Sequence, residues 1–219
     1  MSPSHEPTAV TPGVLLRATL ASRRATSTTI AAVVVSLALV TLPFGAGVRL
    51  DLWNYQPPLF VLLENLTAGG AALISTIALV PAATEWERPR LPRIRLVHVL
   101  IWTLIAVVAT SIGPVVATMQ LKSHVPNPGG ILASHLFLAG LAGISVGLLG
   151  RGLGACLTAI AAFVVLLLEQ FLGGRWLMAD PYRPTNWVWP VVAVLLGALA
   201  QAATNGIPSW SWRRMRNGT

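Results

Sequence analysis

Two apolar stretches joined by two residues decide the fold class of this chain. Residues 131–172 read ILASHLFLAGLAGISVGLLG, then Arg151 and Gly152, then LGACLTAIAAFVVLLLEQFL. Each stretch matches the ~20 apolar residues that a helix needs to cross the ~30 Å hydrocarbon core of a bilayer. A connection this short predicts that the two helices form a tight antiparallel hairpin.

The composition extends this pattern to the whole chain. Of its 219 residues, 54% are hydrophobic and 10% are charged, whereas soluble domains carry about 25% charged residues. Counting apolar runs gives six spans, at residues 30–48, 59–80, 96–118, 131–150, 153–172 and 187–203. The sequence therefore predicts an all-α, polytopic membrane protein in which residues 1–219 form a single transmembrane domain. Five or seven spans are the alternatives.

The positions of Lys and Arg predict the orientation of the six spans. With the N-terminus inside, 11 of the 15 basic residues fall on the cytoplasmic side, as the positive-inside rule requires. Both termini are then cytoplasmic, and the net charge of +8 reflects topology instead of nucleic-acid binding. A strong bias to Arg over Lys, with abundant Ala, Gly and Val, suggests a bacterial protein of the cytoplasmic membrane. The inner residues are Arg17, Arg23, Arg24, Arg88, Arg90, Arg93, Arg95, Arg151, Arg213, Arg214 and Arg216.

The residues before the first span divide into two parts. Residues 1–12 are rich in Ser, Pro and Thr and are predicted to be a disordered tail. Residues 13–26 carry an apolar stripe with Arg on the other side, which predicts a short amphipathic helix lying in the inner interface. An ordinary positively charged flank is the alternative.

The most polar internal segment lies between the second and third spans. Residues 84–95 read TEWERPRLPRIR and carry six charges. Thr84 followed by Glu87 fits a capping box, which predicts a short helix over Ala82–Arg88 with Trp86 at the membrane surface. Such a helix suits docking of a cytosolic partner, and the alternative is a solvated loop whose arginines only set the topology.

Three polar residues within or near the apolar spans are candidates for a substrate path or a proton relay. They are Glu64 and Asn65 in the second span and Glu169 in the fifth. Such residues are costly in a membrane and face the bundle interior or a water-filled cavity. Hydrogen bonding between helices is the alternative, as is proximity of Glu169 to the outer surface.

Other sequence features argue against an enzyme. Gly143-Ile-Ser145-Val-Gly147 matches G-x-S-x-G, but it lies within a span and not at the strand-to-helix turn of a hydrolase. Ala139, Gly143 and Gly147 repeat every four residues, which favours close helix packing. His98 and His135 fall at opposite ends of the bilayer, so no metal site is predicted. The chain has no P-loop motif, so any ATP and Mg²⁺ would be bound by a separate polypeptide.

Three segments of the sequence resemble the permease subunits of type-2 ABC exporters. They are LLRATLASRRATSTT at 15–29, TEWERPRLPRIRLVH at 84–98, and DPYRPTNW at 180–187. The resemblance implies that Thr84, Glu85, Trp86, Glu87 and Arg88 form a coupling helix that docks on a cytoplasmic ABC ATPase. It also implies a second permease copy or paralogue, no cofactor on this chain, and export of the bacteriocin, lantibiotic or drug kind, linked to antibiotic resistance or immunity.

Three alternatives remain open at the level of sequence. One is the substrate-capture subunit of a vitamin importer, which also works with ATPases but lacks a charged coupling helix at this position. The others are a secondary transporter and, less favoured, an intramembrane enzyme that uses Glu64.

Overall fold

The chain is predominantly helical. The computed structural model describes residues 25–41, 47–50, 59–78, 92–120, 128–171 and 186–204, together with Gly13 and Arg17, which are both helical. The helices are α1 (Ala25–Thr41), α2 (Leu63–Ala78), α3 (Pro92–Trp102), a π-helical segment (Thr103–Ala109), α4 (Thr110–Gln120), α5 (Pro128–Leu149), α6 (Arg151–Phe171) and α7 (Val188–Thr204). Helix α3, the π-helical segment and α4 follow one another without a break and form one long run.

The helical runs coincide in order with the predicted apolar spans. Within the described part of the chain, two stretches, Arg95–Val116 and Gly129–Leu149, are long and apolar enough to cross a membrane. Three shorter apolar stretches of 10–17 residues lie in α1, α6 and α7. The all-α prediction is therefore confirmed in its main feature, the helical architecture.

A small antiparallel ladder joins the first two helices and shortens both relative to the prediction. Strands β1 (Gly47–Leu50) and β2 (Leu59–Leu62) pair with Gly47 opposite Leu62 and Leu50 opposite Leu59. The predicted first span extended to residue 48, but α1 ends at Thr41, and the predicted second span began at residue 59, but α2 begins at Leu63. The physical reason is that a four-residue apolar run fits a strand as well as a helix end, so hydropathy alone does not separate them.

Several helices begin where the local sequence favours a helix start. Pro92 and Pro128 are the first residues of α3 and α5, where the missing N–H costs nothing because no intrahelical acceptor is available. The Asn186 side-chain oxygen accepts a 3.1 Å hydrogen bond from the Val188 N–H, a typical N-cap contact. The start of α7 at Val188 therefore lies within one residue of the predicted boundary at 187.

A single residue reverses the chain between α5 and α6. Gly150 has a positive φ of 82°, its N–H donates to the Val146 carbonyl at 2.8 Å, and its carbonyl accepts from the Gly154 N–H at 2.9 Å. Gly150 therefore closes one helix and opens the next, as a left-handed residue at a helix end does. The predicted tight hairpin is confirmed.

Substituting Gly150 with alanine is expected to lower the free energy of unfolding by about 1–2 kcal/mol, because a Cβ is disfavoured in the left-handed region. Unfolding in mixed detergent micelles, followed by circular dichroism, measures the change. Gly152→Ala is the matched control, since Gly152 is exposed and an added Cβ would meet no heavy atom within 4 Å. Equal stability of the two variants would contradict the role assigned to Gly150.

The bundle has an apolar surface and a partly polar interior. Helix α5 is central and packs against α2, α4, α6 and α7. On the outside, large apolar side chains are exposed at helical spacing, for example Leu96, Leu100 and Leu104 on the run that begins with α3. The buried polar side chains are Thr28, Ser36, Thr76, His98, Thr110, Ser134, His135, Ser145, Thr158 and Gln201. Exposed apolar side chains on this scale, together with buried polar side chains, differ from the usual pattern of a soluble protein, where polar residues are mostly exposed.

Candidate functional site

A buried hydrogen-bond network links three helices at the level of His98 in α3. His98 Nε2 lies 2.8 Å from Gln201 Oε1, and Gln201 Nε2 donates to the Gly143 carbonyl at 2.7 Å. Because a backbone carbonyl only accepts, the amide nitrogen must face Gly143, so the amide oxygen faces His98. His98 therefore carries its proton on Nε2, and α3, α5 and α7 are joined through one glutamine side chain.

Trp102 fills the space beside this network. It lies one turn after His98, so both side chains project from the same face of α3, and it is fully buried. A Cβ on Gly197 would lie 2.9 Å from the Trp102 ring, and a Cβ on Gly143 would overlap the ring. The indole nitrogen has no hydrogen-bond partner. Glycine at both positions therefore lets the indole ring insert between α5 and α7.

The contact between α5 and α7 is a close approach of backbones. A Cβ added at Gly140 would overlap the backbone of Ala193, and one at Gly147 would lie 3.0 Å from Gln201 Nε2. Gly143 and Gly147 thus pack as the small-residue repeat predicted. Ala139, the third member of that repeat, packs instead in a cluster with Ala72 of α2.

A second buried polar contact joins α1 to α4. The Ser36 hydroxyl donates to the Thr110 carbonyl at 2.8 Å and accepts from the Gly113 N–H at 2.9 Å. Pro114 follows within the same helix and has no N–H to donate to Thr110, its usual i−4 partner. Ser36 therefore supplies the donor that proline removes.

The two histidines of the described spans have different surroundings. His135 Nδ1 donates to the Ile131 carbonyl of its own helix at 2.9 Å, and its Nε2 is buried without a partner. His98, in contrast, is hydrogen-bonded to Gln201 of another helix. Over the described ranges, no group of three or more His, Cys, Asp or Glu residues is placed to hold a metal ion.

The sequence-predicted site residues fall partly outside the described ranges. Thr84, Glu85, Trp86, Glu87 and Arg88 of the predicted coupling helix lie outside them, as do the predicted tail at 1–12 and most of the predicted interfacial helix at 13–26. Glu64 and Asn65 lie in the first turn of α2, and Glu169 in the last turn of α6. All three candidates for a substrate path therefore occupy helix ends and not helix centres.

Sequence reasoning did not single out Ser36, Trp102, Pro114 or Gln201. Two signals were available. A proline inside an apolar span leaves a carbonyl that another helix, a Ser/Thr side chain or a water must satisfy, and an amide side chain in such a span favours an interhelical hydrogen bond. Neither signal names the partner, which lies 103 residues away for the His98–Gln201 pair.

Comparison with protein-family models finds no matching family. Comparisons with curated proteins and with solved structures likewise find no similar protein.

Proposed function

We propose that this chain is the six-span permease subunit of an ATP-driven exporter of the type-2 ABC kind, located in a bacterial cytoplasmic membrane. The observation that supports a membrane location is the combination of exposed apolar side chains with buried polar side chains. Exposed Leu, Ile, Val and Phe side chains occur on α1, α3, α6 and α7, while Ser36, His98 and Gln201 are buried. Lipid solvates such a surface, whereas water would penalise it by roughly 25 cal/mol per Å² of apolar area.

The helix lengths are compatible with six spans. The two longest runs, α3 to α4 and α5, contain 29 (11, 7 and 11) and 22 residues. The shortest, α1, α2 and α7, have 17, 16 and 17 residues, close to the lower limit of about 17 for a span. Helix α2 follows strand β2 directly in the chain.

The hydrogen-bond network supports the alternating topology. His98 lies in the first third of the run from Pro92 to Gln120, Gln201 near the end of α7, and the acceptor Gly143 in the second half of α5. Successive antiparallel spans would bring these three positions toward the same side of the membrane. The proposed topology would put the charged segment that precedes α3 and the residues that follow α7 on that same side.

We place ATPase docking in the charged segment that leads into α3. Thr84, Glu85, Trp86, Glu87 and Arg88 combine acidic and aromatic side chains, which topology alone does not require. Because α3 bonds through His98 to α7, a displacement of this segment would pass directly to the bundle core. The cargo would be a peptide, antibiotic or lipid-like amphiphile, and a second permease copy or paralogue would complete the transporter.

Reversing the charges of Glu85 and Glu87 to lysine is expected to abolish association with the ATPase while leaving membrane insertion intact. The tagged full chain is purified in mild detergent from its own host, and bound ATPase is measured as vanadate-sensitive ATP hydrolysis per permease. The matched control reverses Asp51 and Asp180, which the topology places on the outer side. Association retained by the Glu85/Glu87 variant would contradict docking at this segment.

The same purification also tests the class of protein. A stoichiometric ATPase is expected with the wild-type chain. Substrate transport by the purified chain alone in proteoliposomes would contradict the permease assignment and favour a secondary transporter.

A further inference from the structure

The third helical run is irregular at its centre. Residues Thr103–Ala109 are π-helical, and Pro114 interrupts the hydrogen bonding of α4 a few residues later. Between them, Thr110 Oγ1 donates to the carbonyls of Ala106 and Val107, and Ser111 Oγ donates to the Val107 carbonyl at 2.6 Å. π-Helical segments and proline are the usual causes of a bend in a helix, and this run has both within twelve residues.

Two backbone groups of the irregular region are hydrogen-bonded to another helix. In a regular helix, the Gly113 N–H would donate to Ala109 and the Thr110 carbonyl would accept from residue 114. Here both groups bond to the Ser36 hydroxyl of α1. Ser36 is fully buried, and α1 approaches so closely that a Cβ at Gly113 would overlap the Ser36 carbonyl. One hydroxyl therefore holds the geometry of this region.

The two halves of the run are hydrogen-bonded to different helices. The α3 half packs on α7, bonded through His98 and Gln201 at 2.8 Å, and its Trp102 also packs against Gly143 of α5. The α4 half packs on α1 and α5 and is bonded through the Ser36 hydroxyl. The hydrogen-bonded partner therefore changes across the π-helical segment, where the regular i to i−4 hydrogen-bond register is already interrupted.

We propose that residues 103–114 form a hinge in the third span, and that Ser36 is the positioning residue that sets its resting angle. Tilting moves the α3 half together with α7 against the α4 half and α1. That this motion carries ATPase-driven displacement into the bundle rests on the proposed function, whereas the bending itself is a property of this chain alone.

The hinge is tested by distance measurement in the full chain. Spin labels are attached at Leu96→Cys and Met119→Cys, which are exposed on the two halves, in a Cys156→Ala background that removes the only native cysteine. The 23 intervening steps correspond to about 34 Å in a straight helix, within the range of pulsed dipolar spectroscopy. The protein is reconstituted in nanodiscs of phosphatidylcholine and phosphatidylglycerol.

Two variants are expected to change the distance distribution in opposite directions. Ser36→Ala leaves the Thr110 carbonyl and the Gly113 N–H without their partner, so the distribution broadens. Pro114→Ala restores the N–H donor to Thr110 and removes the ring clash, so the distribution narrows and shifts to a longer distance. Ser134→Ala is the matched control, because that buried hydroxyl bonds to Gly130 of its own helix, and it should leave the distribution unchanged.

Unchanged distributions in both Ser36→Ala and Pro114→Ala would overturn the hinge. So would a change of equal size in Ser134→Ala, because the effect would then not depend on the contact between helices. If Ser36→Ala does not fold, Pro114→Ala alone decides, since a wild-type distribution in that variant excludes the hinge. No ATPase is present in this experiment, so failure of the proposed function and failure of the hinge are separate results.

Discussion

Substitution of Gly140 with alanine is expected to cause one of the largest losses of stability among the glycine-to-alanine changes in the described residues. The new Cβ would overlap the carbonyl carbon and oxygen of Ala193 and the amide of Val194. These are backbone atoms, so no side-chain rotation relieves the overlap and α7 must move away from α5. Overpacking a core costs about 1–3 kcal/mol, occasionally more, and we expect the upper end of that range.

The separation of α5 and α7 would also affect the neighbouring contacts. The hydrogen bond from Gln201 to Gly143 spans this interface, and Trp102 is wedged against Gly143 and Gly197. Unfolding in micelles titrated with sodium dodecyl sulfate measures the loss. Gly69→Ala is the matched control, since its Cβ would meet no heavy atom within 4 Å and alanine is the better helix former. Equal stability of Gly140→Ala and Gly69→Ala would refute the close approach of the two backbones.

Substitution of Gln201 with leucine is expected to destabilise the protein by about 1–3 kcal/mol, the cost of leaving buried partners unsatisfied. The change removes both the contact to His98 and the contact to Gly143. An average interhelical hydrogen bond in a membrane protein contributes only about 0.6 kcal/mol. A loss near the upper limit would therefore reflect the buried polar atoms that lose Gln201 as a partner, His98 Nε2 and the Gly143 carbonyl, more than the bond itself.

A double-mutant cycle separates these two terms. If the loss of the Gln201 partner of His98 Nε2 dominates, His98→Leu combined with Gln201→Leu should be less destabilising than the sum of the single variants, because both members of this pair are then gone. Thr158→Val is the matched control, since it removes a buried hydroxyl that bonds to Gly154 of its own helix at 2.8 Å. Strict additivity of the two leucine variants would show that the pair makes no coupled contribution.

The features that the sequence predicts well are those that depend on local chemistry. The apolar runs predicted from the sequence locate the helical runs, and the short connection after residue 149 predicts the hairpin. The strands β1 and β2 were missed because a run such as Leu59–Leu62 is too short to distinguish a strand from a helix end. That distinction depends on the pairing of Leu50 with Leu59 across the ladder, which no local pattern encodes.

For the buried polar contacts, the sequence predicts that a hydrogen-bond partner is needed but not which residue provides it. An amide such as Gln201 or a proline such as Pro114 in an apolar helix signals that a buried partner is needed. The identity of that partner depends on how helices distant in sequence pack together. Ser36, for example, donates a hydrogen bond to the carbonyl of Thr110, 74 residues away. The predicted coupling residues Thr84–Arg88 remain a prediction from composition and resemblance, since they lie outside the described residues.

The one-residue turn at Gly150 also limits where a soluble partner can bind. Because α5 ends at Leu149 and α6 begins at Arg151, the connection between these two helices consists of Gly150 alone. This connection therefore offers almost no footprint to a globular protein approaching from that side. In the proposed six-span topology, a soluble partner on that side would therefore have to contact the charged segment before α3, or the residues before α1 and after α7.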